Sequence, residues 1–493
     1  MNKVIKSLVW KVLQQYSSYI LKLLVQIILA RILIPEEFGI IAEISVFLAL
    51  ADTIANNALG VALVRKGDAD EVDFSTAFYG SLLIGSMLYL CIFLGSPYIS
   101  RFLDEQLLTS LLRVNSISIF LSLYLSILNA YVIKNFQLHK NFISSLISSV
   151  ISGIIAVILA YAGFGVWALV FQNILLLLFN VIILQMMISW KPQRYFRIEV
   201  MRQMFNFSWK YMLSALLGSL LENTYNLSIG KFYGNETLGY YNRGNTFPGI
   251  LIGQVRIAFN TILLPVFSER QRNQEILLES IKKATHISVL AVFPLVTGMI
   301  AAAEPLVEFL LTDKWLPSVF FLRIECIFYA ALSISTTIGC AITAVGRSDI
   351  LAKTEFFKLL MTIISIYFFH TYNVKSLCLI RVVIALIAII YTVKCAGKLI
   401  GYNFGALLHD IKGPFLLSML MGIIIYPVNF LNLTSIAKLA IQVCVGILVY
   451  MCGIIIFMKK DIKNIRAMAV KQSFAKGEPR SDREKFKNKD KVW

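Results

Sequence analysis

The chain has 493 residues, of which 58% are apolar and only 15% charged, yet its formal net charge is +18. Soluble globular chains run nearer about 45–50% apolar and about 25% charged. The composition therefore excludes a soluble enzyme, a disordered protein and a secreted disulfide scaffold, and points to a polytopic helical membrane protein.

Taken in chain order, apolar runs predict helical spans near 10–33, 40–63, 75–98, 109–133, 142–162, 166–189, 207–230, 246–267, 284–303, 318–345, 354–373, 376–395, 413–431 and 436–458. Each is close to the ~20 residues that a bilayer requires. The first run follows Lys3, Lys6 and Lys11 but has no small-residue cleavage site, so it reads as a retained span and not a signal peptide. The expected organisation is a six-helix lobe over 1–200, a second over 201–400, two further spans over 401–458, and a basic, disordered tail over 459–493. The seven cysteines lie in or beside apolar runs with no CxxC pair, which fits packing.

The basic residues report orientation. Sorted by connection, 32 of the 46 Lys and Arg fall on one side of the fourteen spans and 6 on the other, and the tail alone holds 12. Excess Lys and Arg mark cytoplasmic loops, so both termini are expected inside. The positive charge is then a topology signal, the tail resting against anionic lipid, with no nucleic-acid partner implied. Trp315, between Lys314 and Pro317 in an external connection, reads as an interfacial anchor.

A self-similarity runs through the chain at about 200 residues. The first span opens at Trp10-Lys11 and closes at Arg31, ahead of Glu36-Glu37-Phe38-Gly39. The seventh opens at Trp209-Lys210 and closes at Lys231, ahead of Glu236-Thr237-Leu238-Gly239. Leu112-Arg113-Val114 opens the fourth span, and Leu322-Arg323-Ile324 lies early in the tenth. An even number of spans per half gives both halves one orientation, a parallel repeat about an axis along the membrane normal.

Polar side chains interrupt the spans at helical spacing. Gln14, Ser18, Lys22 and Gln26 share one face of the first span. Ser214, Gly218, Glu222 and Asn226 share the matching face of the seventh. A charge near the bilayer centre costs about 2.5–3.5 kcal/mol on insertion scales, so such residues turn to a bundle interior or wet cavity. The repeat predicts that Lys22 and Glu222 look into one central space. Glu43, Asp52, Asn56 and Asn57 add to it from the second span, Arg256 and Asn260 from the eighth, and Arg113, Arg323 and Glu325 from the fourth and tenth. The four histidines are scattered, and neither HExxH, a phosphate-binding GxxxxGK[ST] loop nor a GxSxG elbow occurs. No catalytic residue, metal site or cofactor is expected.

The segments LARILIPEEFGIIAEISVFLALADTIANNALGVALVRK (29–66), LLPVFSERQ (263–271) and EPLVEFLLTDKWLPSVFFLRI (304–324) resemble bacterial Wzx-type oligosaccharide flippases. These belong to the multidrug/oligosaccharidyl-lipid/polysaccharide exporter superfamily, and the resemblance runs through at least 7–350. It implies two six-helix lobes around a central cavity, two additional helices and a site in the bacterial inner membrane. The implied substrate is an undecaprenyl-diphosphate-linked oligosaccharide, turned from the cytoplasmic to the periplasmic leaflet, with a membrane polysaccharide polymerase as a further partner. Arg113 and Arg323, joined by Lys22 and Arg256, are the expected diphosphate ligands, since guanidinium groups suit bidentate phosphate contacts. Asn56 and Asn226 would complete the polar lining. Glu222, Asp52, Glu43 and Glu325 are the expected carriers of a coupling proton or sodium ion, and Glu222 facing Lys22 would form a gate. A multidrug–cation antiporter on the same scaffold and a membrane glycan polymerase are the competing readings.

Overall fold

The structure is a computed structural model that describes residues 2–55, 59, 63 and 70–457; Asn56 and the tail 459–493 lie outside the described residues. Among those residues the chain is helical and has no strand. The helices are α1 (Asn2–Ile32), α2 (Pro35–Ala55), α3 (Glu71–Leu103), α4 (Leu108–Asn115), α5 (Ser118–Lys134), α6 (Leu138–Tyr161), α7 (Val166–Met187) and α8 (Ile198–Arg270). They continue as α9 (Gln274–Ala301), α10 (Ala303–Leu311), α11 (Ser318–Ala344), α12 (Ser348–Phe369), α13 (Val374–Ile400), α14 (Phe404–Ile425) and α15 (Ser435–Phe457).

The expected seventh and eighth spans both lie in α8. They join at Gly234, whose φ of 82° and ψ of 167° break the helix without a loop; a positive φ costs glycine little. The expected fourth span is α4 and α5 with a short break between them. Among the described residues ten helical stretches are long and apolar enough to cross a membrane by length and composition, one of them running through Gly234. In α12, Lys353, Glu355 and Lys358 dilute the apolar run.

The halves meet along α2 and α8, which pack extensively on each other. α14 packs on α9, and α15 on α14 and α10, so the two additional helices belong to the second half.

Several interfaces are built on carbonyls that proline strips of their helical partner. A proline has no N–H for the carbonyl four residues earlier. Pro97 leaves the Phe93 carbonyl without one, and Arg113 Nε donates to it at 3.4 Å. Pro294 does the same to Leu290, where the Tyr450 hydroxyl donates at 2.8 Å. Pro414 frees the Asp410 carbonyl, which takes the Nδ1 of His286 at 2.8 Å. Each proline thereby docks another helix.

At one end of the molecule the two halves exchange such contacts across their seam. The last carbonyls of α1 have no intrahelical donors. Trp315 Nε1 donates to Ala30 at 2.8 Å, and Lys314 Nζ to Arg31 at 2.9 Å and Leu33 at 2.7 Å. In return Arg31 donates to the last carbonyls of α10, Leu310 at 3.0 Å and Phe309 at 2.5 Å. Trp315 is fully buried, so it plugs the seam and is not the interfacial anchor its position suggests. Burial also pulls the Lys314 ammonium below its ordinary range. The repeat supplies the mate of this contact: Lys231 pairs with Asp104 at 2.7 Å, and Asn235 donates to Glu105 at 3.1 Å. Between them the backbones touch. A Cβ on Gly39 would lie 1.8 Å from the Asn235 carbonyl oxygen, and one on Gly239 2.0 Å from that of Pro35.

Gly39→Val should therefore force the halves apart at this end. In proteoliposomes, a cysteine at position 26 should react several-fold faster with an impermeant maleimide added on the sealed side. An unchanged labelling rate would show that Gly39 does not hold the seal.

Candidate functional site

Two polar cavities flank the seam, one in each half. The first, of about 320 Å³, is lined by Lys22, Gln26, Asp52, Asn115, Asn173 and Arg243, among others. Asn173 Nδ2 donates to Asn115 Oδ1 at 3.0 Å and fixes that wall. The second, of about 510 Å³, is lined by Glu222, Asn226, Arg256, Tyr329, Lys358 and Arg381, among others.

Part of each helical stripe lines a cavity. Lys22 and Gln26 of α1 face one cavity, and their repeat partners Glu222 and Asn226 of α8 face the other. The expected gate pair is not formed: Lys22 lines the first cavity and Glu222 the second, and among the described residues no ion pair joins them. Asp52 and Arg256 also line cavities, as expected.

Four other expectations are corrected. Arg113 donates to the Phe93 carbonyl and to Ser96 Oγ at 3.1 Å, with its guanidinium 4.4 Å from the Phe93 ring centroid. Arg323 repeats this in the second half, donating to the Ile300 carbonyl at 3.3 Å and to Glu304 at 2.9 Å. Neither lines the two cavities: Arg113 clamps the carbonyl that Pro97 orphans within α3, and Arg323 a carbonyl at the end of α9, because a carbonyl left open binds a guanidinium well. Glu43 is fully buried in the seam, not in a cavity: a Cβ on Gly230 of α8 would come within 2.3 Å of its Oε1. Glu325, only 1% exposed, is held by Arg381 at 2.5 Å, which removes it from free ion exchange.

Two residues that the sequence reading did not single out prove central. Arg243 falls in the connection between the expected seventh and eighth spans. It is 8% exposed and reaches from the second half into the first cavity, its Nη1 3.4 Å from Gln26 Oε1 and its guanidinium 4.1 Å from the Phe38 ring centroid. The turn at Gly234 carries it there, and that turn has no span-like hydropathy signature. Arg381 donates to Glu325 and to the Tyr241 hydroxyl, beneath Phe328 at 3.9 Å. A lone arginine within the apolar run LCLIRVVIAL was the signal for it.

The first cavity thus gathers Lys22 and Arg243 against the single carboxylate of Asp52, an environment for an anion. The second mixes acids, bases, amides and aromatic rings, an environment for a polyhydroxylated ligand.

Residues 28–320 match the family model described as "Polysaccharide biosynthesis protein". Teichuronic acid biosynthesis protein TuaB of Bacillus subtilis (strain 168) is 24% identical over 418 residues, covering 81% of this chain and 84% of that protein. Succinoglycan biosynthesis transport protein ExoT of Rhizobium meliloti (strain 1021) is 25% identical over 312 residues, 63% of each chain. A solved structure of lipid II flippase MurJ in an inward closed conformation superposes with a TM-score of 0.76 at 17% identity, covering 92% of this chain and all of that one. That likeness is one of fold.

Removing one partner of a buried ion pair costs about 3–5 kcal/mol, whereas replacing both with apolar groups is often neutral. Arg381→Met alone should lower the unfolding temperature of the purified protein markedly, and Glu325→Leu with Arg381→Met should recover most of the loss. Equal losses in the single and double variants would show that the pair is not an isolated buried unit.

Proposed function

Because the chain belongs to the polysaccharide biosynthesis protein family, carries ten helical stretches able to cross a membrane among its described residues and has a relative named as a transport protein, we propose that it turns polyprenyl-diphosphate-linked oligosaccharide from one leaflet to the other. The observation that carries this reading is the pair of polar cavities beside a seam sealed at one end. A diphosphate and its sugars cannot cross ~30 Å of hydrocarbon unaided, because their polar groups would lose water without replacement. A wet cavity solves this for the head group while the lipid tail stays in the bilayer.

In this reading the diphosphate docks in the first cavity on Lys22 and Arg243, and the sugars lie toward Asn226, Tyr329 and Arg256 in the second. Asp52 and Glu222 are the cavity carboxylates that would carry a coupling ion in this reading. Fourteen spans with both termini in the cytoplasm put the seal on the periplasmic side, so this state receives substrate from the cytoplasm. A polysaccharide polymerase that takes up the delivered units is the partner this reading calls for. Two cations around one acid make the first cavity a poor site for a cationic drug, which weighs against an antiporter. The described connections between helices are short, which weighs against a polymerase.

A host strain lacking the chain should accumulate lipid-linked oligosaccharide on the cytoplasmic leaflet, and the wild-type gene should restore surface glycan. Lys22→Gln and Arg243→Gln should each be present at normal level and lower surface glycan roughly tenfold, the order expected for loss of a charge-assisted hydrogen bond. Arg113→Gln and Arg323→Gln should lower protein level and glycan together. Normal export in both cavity variants would remove the diphosphate site. A depleted strain with no such intermediate would remove the reading itself.

A further inference from the structure

A third cavity, of about 410 Å³, opens where α13 ends and α14 begins, outside both polar cavities. Lys394 and Lys398 line it, one turn apart near the end of α13, so their ammonium groups share one face. Like charges at this spacing repel each other. No acidic side chain lines the cavity, and among the described residues no ion pair engages either lysine.

The connection brings more positive potential to the same place. Gly401 turns the chain with a φ of 83°, and a Cβ on Gly397 would lie 2.6 Å from Asn403 Oδ1, so the loop lies directly on α13. Asn403 is the N-cap of α14, yet its side chain makes no capping hydrogen bond. The first N–H groups of this 22-residue helix therefore begin at the cavity without a side-chain acceptor. Apolar surface borders the lysines: Ile390, one turn before Lys394 on the same face of α13, is 54% exposed, and Phe404 at the start of α14 is 49% exposed. Cations with exposed hydrocarbon directly beside them, at the end of a membrane-crossing helix, match a lipid head group with its chains attached.

We infer that this cleft binds the phosphate of an anionic glycerophospholipid. The lysines and the start of α14 hold the phosphate, and the acyl chains run along Ile390 and Phe404. A free phosphate would use the lysines and leave the neighbouring apolar surface idle. The site is independent of the transported substrate and would tie the start of the two additional helices to the lipid composition of its leaflet.

Native mass spectrometry of the full chain in detergent tests this, with phosphatidylglycerol, phosphatidylcholine and inorganic phosphate as probes. Wild type should retain phosphatidylglycerol several-fold over phosphatidylcholine. Each basic residue near an anionic surface is worth about a fivefold factor, so Lys394→Gln with Lys398→Gln should weaken retention roughly 25-fold and either single variant about fivefold. Arginine at both positions should preserve it, and Lys191→Gln, outside the cavity, should not change it. Undiminished retention in the glutamine variants, or equal retention of phosphatidylcholine, would overturn the site. Complete displacement by millimolar inorganic phosphate would assign the cleft to free phosphate and overturn the lipid.

Discussion

A backbone carbonyl that has lost its helical donor cannot stay bare inside a membrane protein, because there is no bulk water to satisfy it. This one constraint accounts for how the helices of this chain find each other. Prolines inside α3, α9 and α14 strip a carbonyl each, and Arg113, Tyr450 and His286 of other helices supply the missing donor. At the seam the same constraint works between the halves. The open carbonyls at the end of α1 are met by Lys314 and Trp315, and those at the end of α10 by Arg31. Such contacts form only when two helix ends face each other, so they hold a particular arrangement of the halves and not merely their proximity. The backbone approach at Gly39 and Gly239 adds a steric limit: nothing larger than hydrogen fits.

The two halves share a plan but differ in chemistry. Arg31 and Lys231 occupy matched positions, yet the first reaches for carbonyls and the second for the Asp104 carboxylate. Lys22 and Glu222 likewise occupy matched positions and bring opposite charges to the two cavities. Arg243 breaks the symmetry further. It belongs to the second half but completes the cavity of the first, so that cavity holds both its cations only while the seam is closed. A site with this construction loses affinity for an anion as the halves separate, which gives the proposed cycle a direction.

Much of this was legible in the sequence. The spans, the two-fold repeat and the polar stripes follow from hydropathy and helical spacing, and the repeat signature of a basic span end plus Glu-x-x-Gly turned out to be the seal itself. What the sequence could not assign was where a charge within a span spends itself. Arg113, Arg323 and Glu325 looked like cavity residues because insertion cost demands a polar environment. A proline-orphaned carbonyl, a helix end or a buried Arg381 meets that demand as well as a wet cavity does. Nothing in residue spacing separates these outcomes. Arg243 was hidden for a related reason: the turn at Gly234 is a backbone event that puts an apparent loop residue inside.

The central claim is that the seam must open at its sealed end for substrate to leave. The direct measurement bridges cysteines at positions 104 and 231 with a short, reducible bis-thiol linker, in a chain freed of its seven native cysteines, and follows delivery of lipid-linked oligosaccharide. The account predicts that bridging stops delivery and that reductant restores it. Full delivery with the bridge quantitatively in place would contradict it.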